Sequence, residues 1–179
     1  QPRTNDAPSP SRPLRVLSVA RLVEKKGVTY LCEAVARLAK RDVPVELEVV
    51  GDGPLQQELE RFVARHGLDQ RVFIRGRRDK AYVQDALRRA DVFALPSVTA
   101  ADGDQEGIPV SLMEAMASGV PCLSTVHSGI PELIEDGQSG WLVPERDVDA
   151  LADKLARIQR GEYDLPAIAA TARATVESR

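Results

Sequence analysis

Short apolar runs alternate with segments of helical periodicity along almost the whole chain, and this alternation restricts the possible folds more than any other feature. Residues 15–20, 45–50, 72–76, 91–97, 121–126 and 140–144 read as strands. Residues 28–40, 54–66, 80–90, 109–119, 147–160 and 165–178 carry apolar side chains at helical spacing or helix-end signals. Strand followed by helix, repeated in this way, predicts an α/β fold with a Rossmann-like, doubly wound parallel sheet and helices on both faces. Ligands of such sheets bind outside the carboxyl ends of the strands, so the loops that follow strands are where function is to be sought.

The loop and helix after the fourth strand hold the most informative stretch, residues 106–119. Pro109 suits a first helical turn and Gly119 a helix end, which places Glu106 in the loop and Glu114 inside the helix. Gly107 lets a ligand approach the backbone, and the free N–H groups at the helix start can receive an anion. Two carboxylates that bind hydroxyls, with a phosphate cradle between them, suit a sugar nucleotide. The same spacing also fits an amphipathic helix with Glu114 on its solvated face.

Other loops that follow strands add candidates. After the first strand, residues 21–27 contain Arg21, Lys25 and Lys26; arginine makes forked contacts with phosphate and lysine supplies a mobile point charge. A plain basic loop with Glu24 as partner is the alternative. Gly51 and Gly53 follow the second strand in a Gly-Asp-Gly-Pro turn. Gly76 and Arg77 follow the third, where Arg75, Arg77 and Arg78 read equally as surface charge. His127 and Gly129 follow the fifth, and His66 reads as a helix-end residue. Asp102-Gly103-Asp104 has the form of a divalent-cation pair, but the cations at residues 21 and 26 and the helix start already supply that charge, so no metal site is assigned. A nicotinamide-type fingerprint is missing after the first strand.

Composition closes off several classes. A net charge of −3 and only 3 Phe, 3 Tyr and 1 Trp give neither an electrostatic footprint nor a stacking platform for nucleic acid. No apolar run reaches membrane-spanning length. Cys32 and Cys122 sit in apolar patterns and read as buried, reduced thiols of a cytoplasmic protein. Residues 1–13 hold four of the twelve prolines and read as the remnant of an interdomain linker, leaving 14–179 as one domain.

From Glu106-Gly107-Ile108-Pro109 through Glu114-Ala115-Met116-Ala117-Ser118-Gly119-Val120-Pro121, the chain resembles the E-x7-E signature of retaining glycosyltransferases of the GT-B fold, specifically glycosyltransferase family 4. Arg21 and Lys26-Gly27 match that family's R-x4-K-G turn. Val72-Phe73-Ile74-Arg75-Gly76 resembles its V-x-F-x-G element, and Gly129-Ile130-Pro131-Glu132-Leu133 its G-I-P-E-L turn, with Ser128 where a further glycine is common. The resemblance implies the C-terminal, donor-binding half of a GT-B enzyme, the N-terminal acceptor domain lying outside this sequence. It implies Arg21 and Lys26 neutralising the leaving nucleoside diphosphate, Glu106 on the transferred sugar, Gly107 and Ile108 amides on the diphosphate or sugar, and Glu114 on the ribose. Gly51, Gly53, Gly76 and Arg77 would line the donor. The donor would be UDP- or GDP-linked, no cofactor or metal is required, and the acceptor would be a saccharide or lipid-linked saccharide of cell-envelope synthesis. The whole enzyme would be cytoplasmic or peripheral to the inner membrane. A non-catalytic nucleotide-binding domain and another GT-B enzyme, such as an epimerase, are the rival expectations.

Overall fold

The computed structural model describes residues 11–178. Six parallel strands form one sheet: β1 (Leu14–Val19), β2 (Val45–Val50), β3 (Val72–Ile74), β4 (Val92–Leu95), β5 (Cys122–Thr125) and β6 (Trp141–Val143), in the order β3-β2-β1-β4-β5-β6. The helices are α1 (Val28–Lys40), α2 (Gln56–Arg65), α3 (Lys80–Arg89), α4 (Val110–Ala117), α5 (Ile130–Leu133), α6 (Val148–Gln159) and α7 (Leu165–Glu177). The expected Rossmann-like architecture is therefore present, and its strand order reverses between β1 and β4, opening a crevice at their carboxyl ends.

Side chains alternate across the strands and divide the core into two layers. Val92 and Ala94 of β4 join a cluster with α1, α2 and α6, while Phe93 and Leu95 join one with α3, α4 and α5. Strands buried on both faces explain the near-continuous apolar runs seen in the sequence. Helix α7 packs on α4 and contributes the buried Ala172. Both cysteines are free and buried; burial pushes the Cys32 thiol up to about 12 and raises Cys122 as well, so neither is a ready nucleophile.

Most element boundaries shift by a residue or two from the sequence reading, and three of the differences bear on the loops. Helix α2 begins at Gln56, not at Pro54, because the Leu55 N–H donates to the Leu22 carbonyl (3.1 Å) and ties the loop after β2 to the loop after β1. Strand β3 ends at Ile74, although the Gly51 N–H still donates to the Gly76 carbonyl (2.9 Å). Residues 130–133, read as a turn, close into the short helix α5 with a proline in its first turn. Most of the expected linker lies outside the described residues. At its end, the Arg12 guanidinium grips the buried Asp91 carboxylate through two bonds of 2.9 and 3.0 Å.

Helix α4 starts one residue later than expected. Pro109 is its extended N-cap (φ −63°, ψ 128°), and Gly119 lies beyond the C-cap at φ +69°. Ser128 also adopts a left-handed conformation (φ +45°). Substitution Ser128→Gly is expected to raise stability by up to about 1 kcal/mol, since the strain it removes exceeds the extra chain entropy of glycine. Chemical denaturation measures this, and a loss of stability would contradict it.

Candidate functional site

The loops after β1, β2 and β3 are stitched together by backbone bonds, Leu22 N–H to Asp52 O (2.8 Å) and Gly51 N–H to Gly76 O among them. Between them lies a cleft of about 640 Å³, large enough for a small ligand. Arg21, Gly51, Gly53 and Arg77, all singled out from sequence, line it together with Asp52 and Arg78. Arg75 turns away to Glu48 (3.5 Å) and over the Phe73 ring. The three arginines thus divide, and only two face the cleft. Gly76 supports the cleft through its carbonyl but is absent from its lining.

A second group gathers at the ends of β1 and β4. A 3-10 turn, Glu24–Lys26, sends consecutive side chains in different directions. Lys25 reaches Asp104 (3.0 Å), while Lys26 forms an ion pair with Glu106. The Lys26 and Glu106 side chains are 19% and 6% exposed, so this pair is largely withdrawn from water. The second carboxylate oxygen of Glu106 accepts from the buried Ser97 hydroxyl (3.1 Å). Ser97 is fixed in turn because its carbonyl accepts from the Thr125 hydroxyl. Glu106 is consequently a held carboxylate, not one presented as a nucleophile.

Asp102 and Asp104 are engaged elsewhere. Asp102 accepts from the Asp104 N–H (2.9 Å), and the Asp104 carboxylate faces Lys25. Among the described residues, no three His, Cys, Asp or Glu side chains gather as a metal site. Glu114 is exposed on α4, the fifth residue of the helix, and is not brought into contact with Glu106. A Cβ at Gly107 would meet nothing within 4 Å, whereas one at Gly129 would press on the Ile108 side chain at 3.0 Å. Gly107 therefore leaves open space beside the start of α4, and Gly129 lets the two loops pack closely.

His127 and Glu145 are the site residues that sequence reasoning undervalues or misses. The His127 ring is buried; its Nδ1–H donates to Glu145 Oε1 (2.5 Å), and its Nε2 accepts from the Glu106 N–H (3.2 Å). Glu145 also accepts from the Thr99 N–H (3.0 Å) and lies beside Arg146. His127 is thus a turn residue as expected, but a structural link as well. Glu145 follows β6, so the rule that loops after strands carry function applies to it too. His66 is a helix-end residue, with Nδ1 2.9 Å from the Phe62 carbonyl.

Burial pushes the Glu145 carboxyl up, but the Thr99 N–H, His127 and Arg146 outweigh it and hold the group below its ordinary value of 4.5. A depressed carboxyl stabilises the fold above its ordinary value, and that contribution is lost as pH falls through the lowered one. Acid unfolding of the chain below about pH 4.5 should therefore be less steep in Glu145→Gln, which is also less stable at neutral pH. Identical acid profiles followed by circular dichroism would contradict this.

Residues 13–160 match the family described as Glycosyl transferases group 1. The amylovoran biosynthesis glycosyltransferase AmsK of Erwinia amylovora is 48% identical over 167 residues, covering 93% of this chain and 41% of its own length. WcaL of Salmonella typhimurium, named for colanic acid biosynthesis, is 48% identical over 156 residues, covering 87% of this chain and 38% of its own length. The chain thus spans about two fifths of these relatives. Among solved structures, Anabaena HepE in complex with UDP and glucose superposes with a TM-score of 0.80 at 28% identity, over 94% of this chain and 45% of that one. The C-terminal domain of a Francisella tularensis glycosyl transferase group 1 protein superposes with a TM-score of 0.77 at 26% identity, over 94% of this chain and 87% of that domain. With this extent of match, and with the sheet of GT-B glycosyltransferases, the chain belongs to the group 1 glycosyl transferase family.

Proposed function

We propose that this chain is the donor-binding half of a retaining, metal-independent glycosyltransferase that takes a nucleoside-diphosphate sugar. One observation carries the reading: the cleft lined by Arg21, Arg77 and Arg78 and the enclosed Lys26–Glu106 pair lie along one carboxyl edge of the sheet, where its strand order reverses. Three arginines against the single carboxylate of Asp52 leave the cleft net positive, which suits a diphosphate, and charge that develops on it as the sugar departs is stabilised without a metal. Arg21 and Lys26 take that role. Glu106, aimed and desolvated, accepts from hydroxyls of the sugar, and the Gly107 and Ile108 amides contact the diphosphate or sugar. Glu114 binds the ribose.

The relatives inform the substrate class without fixing it. HepE was solved with UDP-glucose, whereas a relative 37% identical over 76% of this chain is a GDP-mannose-dependent mannosyltransferase of Mycolicibacterium smegmatis. Both support the reading of a UDP- or GDP-linked donor. The names of AmsK and WcaL, glycosyltransferases of amylovoran and colanic acid biosynthesis, support a saccharide or lipid-linked acceptor; in our reading an N-terminal domain holds it. The separately crystallised Francisella C-terminal domain supports the assignment of this chain to the C-terminal half. No helix among the described residues is long and apolar enough to cross a membrane.

Calorimetric titration of the chain with UDP and GDP tests the ribose assignment. Replacing the exposed Glu114 by Ala should weaken the preferred nucleotide about ten-fold, the worth of a charged hydrogen bond, with the melting temperature unchanged. Equal affinity in wild type and variant would overturn it.

A further inference from the structure

Between β4 and Glu106 the chain runs through a long polar loop, residues 98–106, which carries the carboxylate assigned to the sugar. Near the start of this loop, the Thr99 N–H donates to Glu145 Oε2 at 3.0 Å, and the Thr99 hydroxyl lies 3.5 Å from Oε1. At its end, the Glu106 N–H donates to His127 Nε2, whose other ring nitrogen donates to the same Glu145 carboxylate. One carboxylate therefore holds both ends of the loop, one directly and one through a buried ring.

The chemistry makes this arrangement directional. Nε2 can accept from the Glu106 N–H only while the proton resides on Nδ1, and the acceptor facing Nδ1 is Glu145. The groups around Glu145 are accounted for: Thr99 from the loop, His127 from the turn after β5, Arg146 beside it, and Glu24, which meets Arg146 at 3.7 Å and accepts from the Ala101 N–H at 3.1 Å. Arg146 also donates to the Thr99 carbonyl, so the loop start is held at both its N–H and its C=O. Glutamine at position 145 would offer one oxygen to two donors, Thr99 N–H and His127 Nδ1–H, and its amide would oppose the other.

We propose that Glu145 is a positioning residue: through Thr99 and the Nδ1–H tautomer of His127 it fixes loop 98–106, and so keeps the Glu106 carboxylate aimed beside Lys26 for the donor sugar. This rests on the donor-binding reading for its purpose, but not for its geometry. Glu145 touches neither donor nor acceptor in this scheme, and acts by holding a backbone that another side chain depends on.

The test combines two readouts on this chain. Amide hydrogen exchange by NMR should show Thr99 and Glu106 exchanging about ten-fold faster in Glu145→Gln, a larger factor than at the β1 and β4 amides, which report only the global loss of stability. In His127→Leu the Glu106 amide should accelerate while Thr99 stays protected, and this variant decides the matter if Glu145→Gln does not fold. The 15N shifts of the His127 ring should report a protonated Nδ1 and an accepting Nε2 in wild type. Titration with UDP, GDP, UDP-glucose and GDP-mannose should show the sugar's added affinity shrinking in Glu145→Gln while the bare nucleotide binds as before. A merely structural role would weaken both together. Unchanged Glu106 exchange in both variants overturns the proposal. Failure of the wild-type chain to bind any nucleotide would instead overturn the donor-binding reading, and the exchange result would still decide whether Glu145 holds the loop.

Discussion

Replacing Lys26 by Met is expected to destabilise the chain by about 2–4 kcal/mol, near the lower part of the range for breaking a buried ion pair because Lys26 retains 19% exposure. For a domain of this size the melting temperature should fall on the order of 10 °C. The cost arises less from the attraction lost than from what remains: a Glu106 carboxylate still hydrogen-bonded to the Ser97 hydroxyl, enclosed and without a cation. The double variant Lys26→Met/Glu106→Gln should therefore recover most of the loss, because two neutral groups of similar shape need no counter-charge. Thermal unfolding of the four proteins forms a double-mutant cycle. A Lys26→Met protein within about 0.5 kcal/mol of wild type, the scatter of ordinary surface changes, would show that the pair is not enclosed as described. The same cycle bears on function, since a donor that contacts both residues must compete with their mutual attraction.

Gly51→Ala should be at least as damaging, at about 3–5 kcal/mol, from overpacking added to backbone strain. A Cβ at residue 51 would sit 1.8 Å from the Ala20 carbonyl oxygen, with the backbone at φ +140°. Neither the sheet nor the turn into Arg21 can move aside without breaking the Ala20 N–H bond to Val50 (3.0 Å). Gly137→Ala is the control: it also has positive φ (+79°), but its Cβ would meet nothing within 4 Å, so only the conformational cost of about 1–2 kcal/mol applies. Denaturant unfolding of both variants separates the two mechanisms, and equal losses would contradict the close approach. The sequence points to Gly51 as lining the ligand, and it does face the cleft. Its first requirement, however, is that two strand ends pack against each other.

Much of the architecture is legible in the sequence because local and long-range preferences agree in it. Helix α1 and strand β2 fall on the residues read from periodicity alone, 28–40 and 45–50. Parallel pairing follows from the strand–helix alternation. The order of the strands does not, since it is chosen by which helix faces pack together. Even so, placing candidates after strands puts Arg21, Gly51, Gly53 and Arg77 around one cleft and Lys26 beside Glu106.

What stays hidden depends on that order. Thr99, His127 and Glu145 follow β4, β5 and β6 and meet because those strands are consecutive neighbours in the sheet. No spacing in the sequence expresses such a contact. Which lysine meets Glu106 is likewise set by the 3-10 turn, whose tight winding separates adjacent side chains, Lys25 toward Asp104 and Lys26 toward Glu106. The helix boundary at Gln56 escapes the sequence because the turn before it is spent on a backbone bond to the neighbouring loop.

The central claim, a nucleoside-diphosphate sugar bound along this edge, is tested most directly by thermal unfolding of the chain with UDP, GDP, ADP and their sugar conjugates, each without and with Mg²⁺. At about 100 times its dissociation constant a ligand should stabilise the fold by about 2.7 kcal/mol, several degrees for a domain of this size. The account predicts a shift with the uridine or guanosine compounds that does not need Mg²⁺ and is lost in Arg21→Ala. A shift that requires Mg²⁺, or one that Arg21→Ala leaves intact, would contradict it.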